Sequence, residues 1–283
     1  MTILTFDSYN FDLMIEFPPA KLNLGLQIIA KRTDGYHDLQ TVFYQFPLND
    51  VLEIIKDESL ESGQCRLISS GLPIPDGENL CEKAYKLLHE SHPLPGIRIY
   101  LHKIIPMGAG LGGGSSDAAY TLKLLNTMFG LKLSNEELKA FALILGSDCP
   151  LFIDDKPQYG EGRGEVLSPV NIDLTGKYLL LVHPDIHVSS AGAYSNVIPK
   201  ISRSCKHTVE SDIKSWRRDL VNDFEAYVIP NYPELAGIKE QLYTLGADYA
   251  AMSGSGSSFF GIFSNPISYK DWPSHYFVWQ SVL

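Results

Sequence analysis

The chain lacks any run of about 20 apolar residues, so no membrane-spanning helix is expected. Residues 1–10 contain no basic stretch followed by an apolar core, and no secretory signal is therefore expected. Only four cysteines occur among 283 residues, and no two have C-x-x-C spacing. This scarcity excludes a disulfide framework and predicts reduced, mostly buried thiols in a cytoplasmic protein.

Positive charge is also scarce, with 23 Lys and Arg against 33 Asp and Glu and a formal net charge of −10. The balance argues against a dedicated nucleic-acid binder, because phosphate backbones attract clustered positive charge. An anionic ligand would need a local site, since the overall field repels it. The 45% hydrophobic and 20% charged content excludes a largely disordered chain, and the length is typical of two domains.

Periodicity predicts an α+β protein, with strands mixed with helices in both halves. Apolar residues alternate with polar residues and glycine from Leu22 to Ile28, which predicts a half-buried strand. The polar face of that strand would carry Lys21 and Asn23. Further strands are predicted over 39–46, 51–55, 97–101, 178–183, 249–252 and 258–263. Helices are predicted over 79–89, 116–129, 219–228 and 234–245, and over a segment that begins with a Ser134–Glu137 capping box and ends before Gly146.

The segment 158–164 is polar, rich in glycine and without periodicity, so it is the predicted domain boundary. We therefore expect an N-terminal domain over 14–160 and a C-terminal domain over 161–283. Residues 1–13 show no pattern and are expected to form a loosely held extension.

The glycine-rich loop from Pro106 to Gly114 is the most informative segment, because glycines let a backbone approach a ligand closely and a helix follows directly. A helix start offers unpaired N–H groups, which predicts a phosphate site. The alternative of a flexible linker fits poorly with that amphipathic helix. Gly108-x-Gly110-x-x-Gly113 matches the dinucleotide fingerprint, but about 100 residues precede it. A Walker A loop would need Lys where Gly114 stands.

The loop resembles the second motif of the GHMP kinase family of small-molecule kinases, with one residue more in its glycine run. The segments 17–26 and 252–259 resemble the first and third motifs, in the same order along the chain. The resemblance implies a ribosomal protein S5 domain 2-like N-terminal domain, a ferredoxin-like C-terminal domain and an active site between them. It also implies ATP contacts from the loop and neighbouring residues: Pro106, Met107, Gly108, Ala109, Gly110, Leu111, Gly112, Gly113, Gly114, Ser115, Ser116, Lys103 and Asn79. Ala109 replaces a glycine that is common in the family.

The resemblance also implies catalytic residues. Asp148 matches the catalytic aspartate of the family and would act as the base, although local sequence alone indicates an ordinary turn aspartate. Lys21 would be its partner cation, with Asn23 bonding substrate or Asp148; a lone lysine is otherwise commonly solvated. ATP and Mg²⁺ are the expected co-substrate and ion. The Mg²⁺ ligands are not identified, and Asp117 is either a helix-cap residue or a metal contact.

Two further segments of this sequence, residues 32–41 and 146–150, resemble motifs of one branch of the family. That branch phosphorylates a cytidine diphosphate-linked alcohol on the non-mevalonate route to isoprenoids. It implies that Tyr36, His37 and Tyr194 bind the cytosine, although Tyr194 alone is equally typical of a half-buried helix. Two alternatives remain: a kinase for homoserine, mevalonate or a sugar, and a non-catalytic nucleotide sensor of the same fold.

Overall fold

The computed structural model of the protein describes residues 13–200, 204–269 and 272–283. Its strands are β1 (Leu13–Glu16), β2 (Pro19–Lys31), β3 (His37–Asn49), β4 (Val51–Lys56), β5 (Cys65–Gly71), β6 (Ile97–Lys103), β7 (Gln158–Glu161), β8 (Val166–Pro169), β9 (Tyr178–His183), β10 (Tyr249–Met252), β11 (Phe259–Phe263) and β12 (Phe277–Val282). Its α-helices are α1 (Leu80–Ser91), α2 (Gly113–Met128), α3 (Asn135–Leu145), α4 (Ser190–Asn196), α5 (Cys205–Val209), α6 (Ile213–Asp219), α7 (Glu225–Asn231) and α8 (Ile238–Thr244). The predicted α+β class is confirmed, and within the described ranges no helix has the length and apolar character needed to cross a bilayer.

The chain forms two compact units, and the first comprises the described parts of residues 1–18, 49–104 and 114–153. Its sheet has the order β1-β4-β6-β5, in which β5 and β6 run parallel. Leu13 pairs with Ile55, so Leu13 belongs to a strand and not to the predicted extension. The rest of that extension, residues 1–12, lies outside the described residues. Capping boxes begin α1 at Asn79 and α3 at Ser134, as the sequence predicts for the second of them.

The second unit comprises the described parts of residues 19–48, 105–113 and 154–283. It contains one sheet of order β2-β3-β7-β8 and another of order β10-β11-β9-β12. The predicted boundary between residues 160 and 161 falls inside β7, where Gly160 pairs with Thr41 of β3. The polar, glycine-rich composition of 158–164 predicts a domain boundary, but pairing with β3 and β8 makes a strand of residues 158–161 that their own sequence does not signal.

The core of the second unit lies between its β10-β11-β9-β12 sheet and short helices. Leu180 and Phe259 from the sheet pack in one buried cluster with Val228 of α7 and Leu242 of α8. Burying one such side chain contributes about 1.5–3 kcal/mol. The bounds of β9 and β10 agree with the sequence prediction, because both are short, continuous apolar runs between polar segments.

The strand β2 differs from its prediction because both of its faces are buried. Residues 20–28 are buried throughout, including Lys21 and Asn23 on the face predicted to be solvated. The reason lies in the tertiary structure of the second unit: Asn23 donates a hydrogen bond to Thr41, and its backbone N–H donates to Ser253 Oγ. Alternation in sequence identified the strand but not what covers its polar face.

The predicted helix over 219–228 is wrong in its first half. Helix α6 ends at Asp219 and α7 begins at Glu225, and the residues between them pair with β2. Leu26 N–H donates to Val221 O at 2.9 Å, and Asp223 N–H donates to Leu26 O at 2.8 Å. These bonds hold Asn222 in a β-bridge with Leu26, so tertiary pairing overrides local helical preference. The helix predicted over 234–245 is likewise shorter, because α8 begins only at Ile238.

Candidate active site

The glycine-rich loop has alternating positive φ angles at its glycines and buried apolar side chains between them. Gly108, Gly110 and Gly112 have positive φ angles of 64°, 80° and 72°, a region that favours glycine. Ala109 and Leu111 between them are buried. The alanine that departs from the family pattern therefore points into the protein and leaves the glycine backbone unobstructed. The helix that follows begins at Gly113, three residues earlier than predicted.

Hydrogen bonds within the second unit anchor this loop to the two other segments that the sequence singled out. Lys21 N–H donates to Leu111 O at 2.9 Å, and Ser258 N–H donates to Ala109 O at 3.2 Å. The Ser253 hydroxyl donates to Gly110 O at 2.9 Å and accepts from the Asn23 N–H at 3.3 Å. Three segments separated by up to 230 residues are thereby held in one network.

Asn222 is a functional candidate that the sequence did not reveal. Its side-chain amide donates to Met252 O and to Gly254 O, each at 2.8 Å, and its Oδ1 accepts from Phe224 N–H at 3.0 Å. It is buried, and its contacts fix the turn that carries Ser253. A lone asparagine inside an apparent helix carries no signal for this role, so local sequence could not have found it.

Lys21 and Asn23 form a buried pair on β2. The Lys21 ammonium donates to Asn23 Oδ1 at 2.6 Å, and Asn23 Nδ2 donates to Thr41 Oγ1 at 3.0 Å. The Lys21 Nζ atom also lies 5.6 Å from the centre of the Phe43 ring. Because Thr41 fixes the amide, the amide oxygen of Asn23 is directed at the ammonium and holds its position.

Asp148 lies in the turn after α3, in the first unit. Helix α3 ends where Gly146 N–H donates to Ala142 O, and Cys149 N–H then donates back to Gly146 O, both at 3.1 Å. Asp148 is partly exposed, whereas the following Cys149 is buried. Burial raises the pKa of the Cys149 thiol to about 12, and a hydrogen bond with Ser115 opposes that rise. Ser115 near the start of α2 therefore contacts the turn that presents the Asp148 carboxylate.

Lys103 is buried in an ion-pair triad of the first unit. Its ammonium pairs with Asp50 and, at 2.7 Å, with Asp117 Oδ2, and its side chain has no exposed surface. Burial alone would lower the pKa of Lys103, but the two carboxylates raise it above its usual value. Burial raises the pKa of Asp117 above its usual range. Asp117 thus neutralises Lys103, and Lys103 in this structure presents no charge to a ligand.

Two further residues predicted to contact ATP, Asn79 and Ser116, lie at the starts of helices. Asn79 is the N-cap of α1: its Oδ1 accepts from Cys81 N–H at 2.8 Å, and its own N–H donates to Glu82 at 3.2 Å. Ser116 is fully buried in the first turn of α2, and its hydroxyl has no hydrogen-bond partner among the described residues. An ATP contact from Asn79 or Lys103 remains a prediction.

Of the three aromatic residues predicted to bind a base, His37 and Tyr194 lie in contact in the second unit. His37 and Tyr194 have ring centres 5.5 Å apart at 31°, and Phe224 packs edge-on against Tyr194 at 4.7 Å. Burial, with Lys31 nearby, lowers the pKa of His37. A neutral imidazole has one donor and one acceptor nitrogen, which suits recognition of a base edge. Tyr36 is 56% exposed, so its ring is open to a ligand.

No group of three His, Cys, Asp or Glu side chains suited to holding a metal occurs in the three described ranges. All four cysteines carry free thiols, and Cys81, Cys149 and Cys205 are buried.

Two family models match the chain: GHMP kinases N terminal domain over residues 79–154, and GHMP kinases C terminal over residues 204–268. The chain belongs to the GHMP kinase family. It is 52% identical to the 4-diphosphocytidyl-2-C-methyl-D-erythritol kinase of Bacteroides fragilis, over 89% of this chain and 92% of that protein. It is 48% identical to the protein of the same name from Cytophaga hutchinsonii, over 89% of this chain and 93% of that protein.

Solved structures agree with the family assignment. A crystal structure of 4-(cytidine 5'-diphospho)-2C-methyl-D-erythritol kinase matches with a TM-score of 0.76 and 33% identity, covering 88% of this chain and 90% of that one. A homoserine kinase from Cytophaga hutchinsonii matches with a TM-score of 0.68 at 17% identity, covering 99% and 97%. The second likeness shows the fold alone. The predicted family, fold and kinase class are confirmed.

Proposed function

We propose that this protein transfers the γ-phosphoryl group of ATP to a hydroxyl of 4-diphosphocytidyl-2-C-methyl-D-erythritol, in the non-mevalonate route to isoprenoids. The observation that carries the proposal is identity of 44–52% with kinases of that name over 89–95% of this chain. The contact between His37 and Tyr194 and the exposed ring of Tyr36 support it, because aromatic rings hold a flat base.

The glycine loop is proposed to bind the ATP phosphates. Gly108, Gly110 and Gly112 expose backbone that a phosphate can approach, and α2 begins directly after them. The bonds from Ser253, Ser258 and Lys21 hold the loop before ATP arrives, which lowers the entropy lost on binding.

Asp148 is proposed as the base that accepts the proton of the attacking hydroxyl. Its position in a tight turn, steadied by the Ser115–Cys149 contact, gives the carboxylate a defined place. Lys21, whose ammonium Asn23 orients, is proposed as the cation that stabilises negative charge during transfer. The low exposure of Lys21 strengthens its electrostatic effect relative to a solvated lysine.

Mg²⁺ is proposed to enter with ATP. When bound, it neutralises charge on the β- and γ-phosphates. Mg²⁺ commonly keeps one or two protein ligands and takes the rest from water and substrate phosphates, so the absence of a three-ligand cluster in the described ranges is compatible with it. The unpartnered Ser116 hydroxyl is the proposed protein contact, whereas Asp117 Oδ2 is paired with Lys103.

The test is ADP release measured with purified protein, ATP and each candidate acceptor in turn. We expect turnover with the cytidine diphosphate-linked compound, and far less with its uridine analogue, because exchanging the N4 amine for a carbonyl leaves buried groups unpaired. His37→Ala should raise KM for the acceptor and leave KM for ATP unchanged. Equal turnover of free methylerythritol, homoserine or mevalonate would show that the cytidine contributes nothing, and would overturn the proposal.

A further inference from the structure

Arg163 lies directly against the aromatic residue that is most open to a ligand. Its guanidinium carbon is 4.8 Å from the centre of the Tyr36 ring. Although one ring face is covered in this way, Tyr36 is 56% exposed. The arrangement therefore combines an open aromatic surface with a fixed positive charge beside it.

The position of Arg163 is set by the backbone around it. Leu39 N–H donates to Gly162 O at 2.7 Å, and Gly164 N–H donates to Glu161 O at 3.0 Å. The carboxylate of Glu165 accepts from the Arg163 backbone N–H. A hydrogen-bonded turn next to β3 thus directs the Arg163 side chain at Tyr36, the residue that immediately precedes β3.

The other nearby arginine, Arg32, is held by two carboxylates at short distances. Arg32 donates to Asp34 at 3.1 Å and to Asp38 at 2.9 Å. Within the described part of the chain Arg163 forms one ion pair, in which Glu165 Oε1 lies 3.5 Å from its Nε, and its charge also helps to lower the pKa of Asp34. A guanidinium stacked on a ring keeps its N–H edge available for an anion, and the planar fork matches phosphate oxygens.

A chain with a net charge of −10 repels anions in general, so an anionic acceptor needs a cation at its own site. We infer that Arg163 is a specificity-determining residue that binds the diphosphate of a nucleoside diphosphate-linked acceptor while its guanidinium supports the Tyr36 ring. The inference rests on the proposed function, since it takes the acceptor to carry a base and a diphosphate.

The test compares the binding of CDP with that of cytidine, because the two differ only in the diphosphate. Calorimetric titrations are made with a non-hydrolysable ATP analogue present at saturation, so that CDP does not occupy the ATP phosphate site. Wild-type protein should bind CDP about tenfold or more tightly than cytidine, as expected for a charge-assisted hydrogen bond. Arg163→Gln should bring the CDP affinity within about twofold of the cytidine affinity, and Arg163→Lys should recover part of the loss.

Arg217 of α6 supplies a matched control, because its guanidinium carbon likewise lies over a tyrosine ring, 3.9 Å from the centre of the Tyr243 ring of α8. Arg217→Gln should leave both affinities unchanged. Unchanged CDP affinity in Arg163→Gln, or an equal loss of affinity for CDP and for cytidine, would overturn the inference. In either case Arg163 would make no contact specific to the diphosphate.

Turnover separates this inference from the proposed function. If wild-type protein fails to phosphorylate the cytidine diphosphate-linked alcohol but its CDP affinity depends on Arg163, the proposed function falls and the inference stands. If wild-type protein phosphorylates that alcohol and its CDP affinity does not depend on Arg163, the inference alone falls.

Discussion

Replacing Gly110 by alanine tests whether the shape of the glycine loop binds ATP. Gly110 has a φ of +80°, and a Cβ there would collide with the Ser253 carbonyl oxygen and lie 3.3 Å from Gly256 O. Positive φ costs alanine about 1–2 kcal/mol, and overpacking against backbone adds about 1–3 kcal/mol. The loop and the Ser253 turn must therefore move apart, which breaks the bond between Ser253 Oγ and Gly110 O.

The expected result is an ATP dissociation constant at least about tenfold higher, which corresponds to about 1.4 kcal/mol, together with a lower melting temperature. Gly130→Ala is the matched control, because Gly130 has a φ of +59° but its added Cβ meets nothing within 4 Å. Gly130→Ala therefore has the backbone strain of alanine at positive φ but no steric clash, so its ATP affinity should equal that of the wild type.

Equilibrium binding of a fluorescent ATP analogue and thermal unfolding measure the two effects separately. If Gly110→Ala and Gly130→Ala bind ATP equally well, the loop geometry is not what binds ATP. Should Gly110→Ala fail to fold, Ser253→Ala removes the hydroxyl bond without adding volume. Its KM for ATP should still rise several-fold, and an unchanged value would refute the same reasoning.

Three further variants probe the remaining parts of the site. Asp148→Asn keeps the shape and removes the base, so kcat should fall about 10²–10⁴-fold while ATP binding, measured by titration, persists; near-normal turnover would exclude the role. Lys103→Met leaves Asp50 and Asp117 buried without their cation, so the free energy of unfolding measured in urea should fall by about 3–5 kcal/mol. A fall of less than about 1 kcal/mol would contradict the buried ion-pair triad. Asn222→Asp places a carboxylate against two backbone carbonyls and should raise KM for ATP more than it changes kcat; equal effects on both would argue against positioning of the loop.

Local sequence determined the features whose cause lies within a few residues. The capping box at Ser134 and the glycine after the helix set the bounds of α3, as predicted. Alternation identified β2, and continuous apolar runs identified β9 and β10. Glycine spacing identified the loop at 106–114, because positive φ at a defined position is a requirement that glycine meets at little cost.

Only the tertiary structure decided what each of these elements contacts. The polar face of β2 is buried because Thr41 and Ser253 cover it, and residues 221–223 are not helical because they pair with Leu26. Lys103 is a buried ion-pair partner because Asp50 and Asp117 surround it, although its sequence neighbours give no sign of this. Propensity and periodicity depend on adjacent residues, whereas burial and pairing depend on partners up to 230 positions away, which only the folded chain brings together.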